Sequence, residues 1–337
     1  MKKIAKLTIF ILLSAIFFCG IIFTNNNNVY AQAAEETEKV YLGGNPIGIH
    51  AISPYFVVTD FVNVVTNDGS FSPAQRAGLK KGDVILSFNG QNPTNIDEIK
   101  QIIARNKNLE LAARRKGEII KMSIEPVIDI RQNHPSIGIM VKNDLSGIGT
   151  VTYVRTDGRF GALGHPISDQ NGYSDIYQKG NVYECIIFGY NRAKKNQPGE
   201  LIGQIETQKP LGTFDSNTVS GILGSFDTPP KDGTLVETAP KNEVKPGKAS
   251  IYTTIDGQIP TLYDIEIIKT AQQDAEKEKS MVIRITDKEL LRKTGGILQG
   301  MSGSPILQNG KLVGAVTHVL TADSTMGYGI YIDWMLN

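Results

Sequence analysis

From about Val40 onward the apolar residues come in short bursts separated by glycine, proline and asparagine, and only a few stretches repeat at helical spacing. The first helical signal is local. Pro73 opens a short helix at its first turn, Gly78 ends it, and Gly82-Asp83 turns into a strand through Val84, Ile85 and Leu86. Asn89-Gly90 closes that strand, and Ile96 to Arg105 places apolar residues on one helical face before two further strands. Beyond Ile137 the bursts read as strands: Ile148–Tyr153, Val182–Tyr190, Leu201–Thr207, Ser220–Phe226, Ala249–Thr254 and Pro260–Ile268. Ser280–Ile285 continues the series, Lys288–Arg292 is helix-like, and Asn309-Gly310 predicts a hairpin between two apolar segments. Regularly spaced short strands favour an all-β barrel or sandwich, and some 200 residues suffice for paired six-stranded barrels of the chymotrypsin-like kind. The predicted fold is therefore mainly β: an α+β domain followed by a double barrel.

The N-terminus has a different pattern. Lys2, Lys3 and Lys6 precede a 17-residue apolar run from Leu7 to Phe23, and Ala31-Gln32-Ala33 has the small residues a signal peptidase needs. The run is at the lower edge of what spans a bilayer, so residues 1–33 read as a signal peptide or a membrane anchor, with the rest of the chain exported in either case. Residues 34–39 form a polar tether. Cys19 comes after Phe17-Phe18, too bulky for a lipoprotein site, and Cys185 in an apolar string reads as a core residue, so no intramolecular disulfide is available. With 35 basic and 34 acidic residues the net charge is +1, which gives no electrostatic case for nucleic acid. No metal or cofactor motif stands out.

The string from Ser72 to Gly90 resembles a PDZ domain of the bacterial protease type, over residues 40–126. Such a domain takes an extended peptide as an added strand and holds its terminal carboxylate on the N–H groups of a Gly-containing loop. Ile47-Gly48-Ile49 is the candidate for that loop, ahead of Gly43-Gly44, and the alternative is that it simply starts a strand. Residues 127–136 read as a connector and 137–337 as the second domain.

Chemistry centres on Gly300-Met301-Ser302-Gly303-Ser304-Pro305. A reactive serine needs a sharp Gly-flanked turn that exposes its hydroxyl while neighbouring N–H groups converge on one spot, and Gly300 and Ser302 would supply those donors. Met301 stands where trypsin-like enzymes carry an acid. Of four histidines, His165 comes after an apolar strand and a Gly hairpin and precedes the serine, which suits a fixed base. His318, directly behind the serine loop, is a core residue or fallback base, while His50 and His134 are discounted. The third member stays open between Asp287, which also reads as a helix N-cap, and Asp215, near the expected junction of two barrels. The charged string Asp274–Lys279 reads as a solvated loop or short helix.

The targeting segment, the PDZ string, Gly147-Ile148-Gly149-Thr150-Val151-Thr152, Gly161–His165 and Thr294–Ile306 together resemble the stage IV sporulation protein B family of serine peptidases. The resemblance implies Ser302 as nucleophile, His165 as base and Asp287 as acid. It further implies export from the forespore into the intermembrane space, self-cleavage with self-recognition through the PDZ domain, and cutting of a membrane-associated regulator that releases processing of a late sigma factor. The competing expectation is an envelope scaffold with a degenerate peptidase domain, which the intact serine, histidine and Gly-rich loop disfavour. An HtrA-type quality-control protease would carry its modules in the reverse order.

Overall fold

A computed structural model describes residues 37–336 with the exception of residue 231. The expected signal segment, Cys19 and the first part of the tether lie outside the described residues. Among those described, no helix is long and apolar enough to cross a membrane.

Chain order begins with β1 (Lys39–Leu42) and a long β2 (Pro46–Phe61), then the hairpin β3 (Val64–Thr66) and β4 (Gly69–Phe71), α1 (Pro73–Arg76) and β5 (Val84–Phe88). It continues through α2 (Ile96–Arg105), β6 (Leu109–Arg115), β7 (Glu118–Ile124) and the ribbon β8 (Val127–Asp129) and β9 (His134–Ser136) to a second long strand, β10 (Ile139–Val154). After it come β11 (Arg159–Leu163), β12 (Lys179–Asn191), β13 (Gly199–Thr218), β14 (Gly221–Phe226) and β15 (Leu235–Glu237). The last part holds β16 (Gly247–Thr253), β17 (Thr261–Thr270), β18 (Met281–Ile285), α3 (Lys288–Thr294), β19 (Leu298–Gln299), β20 (Pro305–Gln308), β21 (Lys311–Leu320), β22 (Asp323–Tyr331) and α4 (Ile332–Leu336).

Two rings of six strands result. In the first, β2 pairs with β10, β10 with β11, β11 with β14, β14 with β13, β13 with β12, and β12 returns to β2. The second closes in the order β16-β17-β18-β22-β21-β20. Alternation along the strands turns Ile47, Ile49, Phe160 and Phe214 into the first interior and Ile251, Ile265, Ile283 and Val316 into the second. Each such side chain, fully buried, contributes about 1.5–3 kcal/mol. The double barrel expected from the strand spacing is thus present.

The α+β unit is built as its turn signals predict. The Ser72 hydroxyl caps α1 by accepting from the Gln75 N–H, and the Asn95 side chain caps α2 by accepting from Glu98. Phe56, Leu79, Ile85, Ile99, Leu111 and Ile137 share its core. Arg115 is held by the buried Asp83 carboxylate at 2.6 Å, tying β6 to the turn before β5.

The domain boundaries do not fall where the sequence places them. Ile47–Ile52, assigned to residues 40–126, pairs with both β10 and β12 and so belongs to the first barrel. The chain leaves that barrel through β2, builds the α+β unit, and re-enters through β10. Residues 127–136 are not a free connector: the Ile130 N–H donates to the Val65 carbonyl and Arg131 donates to Asn63 O, fastening the ribbon to the β3 region. The α+β unit is therefore inserted into a barrel strand pair, because a 16-residue strand can serve two sheets in succession.

This topology predicts that a fragment starting at Ile137 fails to fold, since it lacks β1 and β2 and leaves the first ring open. Circular dichroism and denaturant unfolding of residues 137–337 against residues 37–337 check this. A cooperative transition of the short fragment would contradict it.

Candidate active site

The serine loop joins β19 to β20 and is gripped from the other barrel. Thr150 N–H donates to the Ser302 carbonyl at 2.9 Å, the Thr150 hydroxyl to Gly300 O at 2.8 Å, and the Thr152 hydroxyl to Gly303 O at 2.7 Å. Gly300 and Gly303 both take φ of +95°, and a Cβ on Gly303 would lie 2.0 Å from the Thr150 carbonyl oxygen, so glycine is required there. Met301, in the place of an acid, is fully buried among second-barrel side chains and anchors the loop by packing. The Ser304 hydroxyl donates to the Met301 carbonyl at 2.6 Å and lies 2.8 Å from Thr253 Oγ1, fixing the exit into β20.

The loop's amides divide into two sets. Met301 N–H donates to Leu298 O and Gly303 N–H to Val316 O, whereas among the described residues neither the Gly300 nor the Ser302 N–H has an acceptor. The Ser302 hydroxyl donates to the Thr317 carbonyl at 2.7 Å. Ser302, Gly300 and His165 line one cleft of about 440 Å³, together with Leu145–Ile148, Leu298, Thr317 and His318. A larger hollow of about 860 Å³, bordered by Tyr41, Lys209, Tyr252 and Pro260, contains neither Ser302 nor His165.

His165 sits past the end of β11, after Leu163 at φ +72°, a left-handed conformation that a branched side chain adopts only under constraint. Asn217, buried in β13, supplies part of that constraint: its side chain accepts from the Ile167 N–H and donates to Ile167 O and Ser174 O. His165 Nδ1 lies 2.9 Å from the Pro166 carbonyl oxygen, which puts the ring proton on Nδ1 and leaves Nε2 as the basic nitrogen. Burial lowers the His165 pKa, opposed by the Pro166 hydrogen bond and by the Glu278 charge.

His318 packs against this ring, with centroids 4.7 Å apart and planes tilted by 38°. Burial, then the neighbouring His165 and Lys279, brings its pKa down to about 4, so it is neutral at physiological pH. Glu278 stands 3.8 Å from His318 Nε2, beyond hydrogen-bond range, and His318 Nδ1 is buried without a partner among the described residues.

The residues expected to act together are only partly brought together. Asp287 caps α3, its carboxylate accepting the Leu290 N–H at 2.8 Å, and does not line the cleft. The N-cap reading, open at the sequence level, is its observed role. Asp215 is exposed at a bulge of β13 and is also absent from the cleft lining. Glu278 is the carboxylate whose charge reaches His165, and it escapes notice in the sequence because it sits in a charged string that reads as solvated. That string is anchored instead, with Glu276 accepting from the Ser220 hydroxyl.

The peptide-binding assignment needs correction. Ile47, Gly48 and Ile49 lie at the start of β2, buried, with partners in β10 on one side and β12 on the other, so their backbone groups belong to the ladder and the alternative of a strand start holds. Gly43 and Gly44 are engaged too, donating to Thr152 O and Val151 O. The same tripeptide recurs as Ile137-Gly138-Ile139, between β9 and β10 beside α2, and this copy lies in the α+β unit. Gly138 is left-handed at φ +70°, where a Cβ would meet the Val62 carbonyl at 2.3 Å, and the Ile137 N–H has no acceptor among the described residues. The repeated Ile-Gly-Ile is the signal in the sequence that could have found it.

The family description SpoIVB peptidase S55 matches residues 133–336, and a PDZ domain description matches residues 64–115. The chain is 38% identical over 55 residues to Serine protease HTRA1 of Xenopus laevis, covering 16% of this chain and 12% of that protein. It is 31% identical over 83 residues to a probable periplasmic serine endoprotease DegP-like of a Marinomonas species, covering 24% of this chain and 17% of that protein. It thus spans less than a fifth of the length of these curated relatives. Among solved structures, the Rv3671c protease in an inactive form aligns with a TM-score of 0.34 at 16% identity, covering 57% of this chain and 81% of that one.

The two half-buried imidazoles set how the site responds to pH. Because His165 stays neutral below its ordinary pKa, the acid limb of kcat/KM lies below about pH 6.5; a limb at or above that value contradicts the burial. Between the folded and unfolded pKa values of the two rings the unfolded chain binds more protons, so stability is complete above about 6.5 and declines toward about 4. Denaturant midpoints near neutrality and in the acid window check the decline, which His318→Asn should make shallower. Separately, Asp287→Ala should cost about 1 kcal/mol of stability while Asp287→Asn, an equally good cap, should cost almost nothing.

Proposed function

The chain belongs to the SpoIVB peptidase S55 family, a serine peptidase family, and on that premise we propose that it is an exported serine endopeptidase of sporulation signalling. The observation that carries the mechanism is the pair of unpartnered N–H groups of Gly300 and Ser302 on the same cleft as the Ser302 hydroxyl and the His165 ring. Ser302 turns its hydroxyl from the Thr317 carbonyl toward His165 Nε2, which takes the proton as Oγ attacks the scissile carbonyl. The developing oxyanion accepts from the two free N–H groups, where a single donor is worth about 3 kcal/mol. His165 then gives the proton to the leaving amine, and water repeats the sequence on the acyl-enzyme. The Pro166 carbonyl, fixed through Asn217, holds the required tautomer, and Glu278 favours the imidazolium that forms.

The PDZ domain holds a peptide partner at Ser136–Ile139 beside α2. We take its partners to be protein substrates in the intermembrane space and other copies of this chain. The family match supports a membrane-associated regulator of sigma-factor processing as the physiological target, with self-cleavage, and the lysines and apolar run of residues 1–23 support export with membrane association.

A fluorophosphonate probe is expected to label the protein and to leave Ser302→Ala unlabelled, and equal labelling of both would sink the assignment. His165→Ala should lower kcat by roughly three to four orders of magnitude with an unchanged unfolding midpoint. Retained peptidase activity would remove His165 as the base.

A further inference from the structure

β10 connects the two functional ends of the molecule along one edge. Its other edge carries β2 from the Ile139–Phe61 pair to the Thr150–Pro46 pair. The interruptions in that ladder fall almost wholly on β2, where Thr59 and residues 53–56 bulge out, while on β10 only Asn143 lacks a partner. The opposite edge of β10 pairs with β11 only from Val151 onward, β1 instead joining the β2 edge at Tyr153 and Val154. Among the described residues, Ile139–Ile148 therefore presents an unpaired strand edge, with Met140, Lys142, Asp144 and Ser146 exposed. Unprotected edges of this length pair readily with another extended chain.

What lies at the two ends of this edge identifies the occupant. At Ile139 it starts from the loop with the free Ile137 N–H and left-handed Gly138, next to the α2 residues Ile99 and Ile103. At Leu145–Ile148 it forms a wall of the cleft that holds Ser302 and His165. We propose that a single substrate polypeptide occupies both ends at once as a strand antiparallel to β10, its C-terminal carboxylate on the Ile137-Gly138 loop and its scissile bond at Ser302. This rests on the peptidase and PDZ readings and adds a fixed distance between them. A strand added residue for residue between Ile139 and Gly147 spans about 27 Å, so the cut falls roughly seven to ten residues before the substrate's C-terminus. The substrate class is then an extended, exposed chain end, selected by where it stops more than by the residues around the cut.

The test uses the full chain and peptides of one degenerate sequence, ending in a free carboxylate, in an amide, or in a free carboxylate after a short appended extension, with cuts mapped by mass spectrometry. The expected result is cutting at one distance from the free end, a shift of the cut by the length of the extension, and a rise in KM of at least about tenfold on amidation. Cuts that stay with the original sequence when the end is moved, or that ignore amidation, overturn the inference while leaving the peptidase reading intact. Absence of any Ser302-dependent cutting overturns both.

Discussion

The grip of Thr150 and Thr152 on the serine loop is the contact that sets up the whole site. Three hydrogen bonds from one strand of the first barrel hold the carbonyls of Gly300, Ser302 and Gly303 in the second. With the carbonyls held by β10, the Gly300 and Ser302 N–H groups are left without an acceptor among the described residues, and both residues line the cleft. Thr152 is fully buried, so its hydroxyl and the Gly303 carbonyl have no water to fall back on, and loss of either partner leaves a polar group unsatisfied at a cost of about 1–3 kcal/mol. Neither barrel alone makes the candidate site: the first supplies His165 and the clamp, the second Ser302.

The same strand explains the insertion. β2 and β10 each run through 16 residues, their outer halves completing the sheet of the PDZ domain and their inner halves closing the first barrel. A domain joined through two continuous strands has no loose tether on which to swing. Further links tie it to the segment after His165, where Arg114 forms an ion pair with Asp175 and the Lys116 N–H donates to the Tyr173 hydroxyl. Packing at the PDZ domain and placement of His165 therefore share one mechanical frame.

The imidazole pair shows how burial replaces a carboxylate as the main control. His165 and His318 pack against each other half-buried at the cleft, and desolvation is the largest influence on both. Partial desolvation, reinforced by the neighbouring His165 and Lys279, keeps His318 neutral, and its ring serves as a wall against which His165 is held.

Legibility in the sequence tracks the range of each signal. Turn chemistry is local, so Ser72-Pro73, Asn89-Gly90 and Asn309-Gly310 announce their helix and hairpins, and alternation over six to ten residues announces most strands. Gly300 to Ser304 is readable because the loop's backbone demands are met by residues adjacent in sequence. Pairing partners are not local: nothing within Ile47-Gly48-Ile49 distinguishes a strand locked between two neighbours from a loop, and in the identical Ile137-Gly138-Ile139 the Ile137 N–H is left without an acceptor among the described residues. Likewise the spacing of Asp287 from Ser302 suggests a catalytic acid, but the side chain turns to the nearer Leu290 N–H, while Glu278 comes close to His165 through a loop between two barrel strands. The order of residues was thus enough to specify the elements, the glycine-flanked serine turn and the family. Which strand edges are closed, which charge reaches the base, and the seat of the PDZ domain inside a barrel strand pair emerge only on folding, because they depend on contacts between residues a hundred or so positions apart.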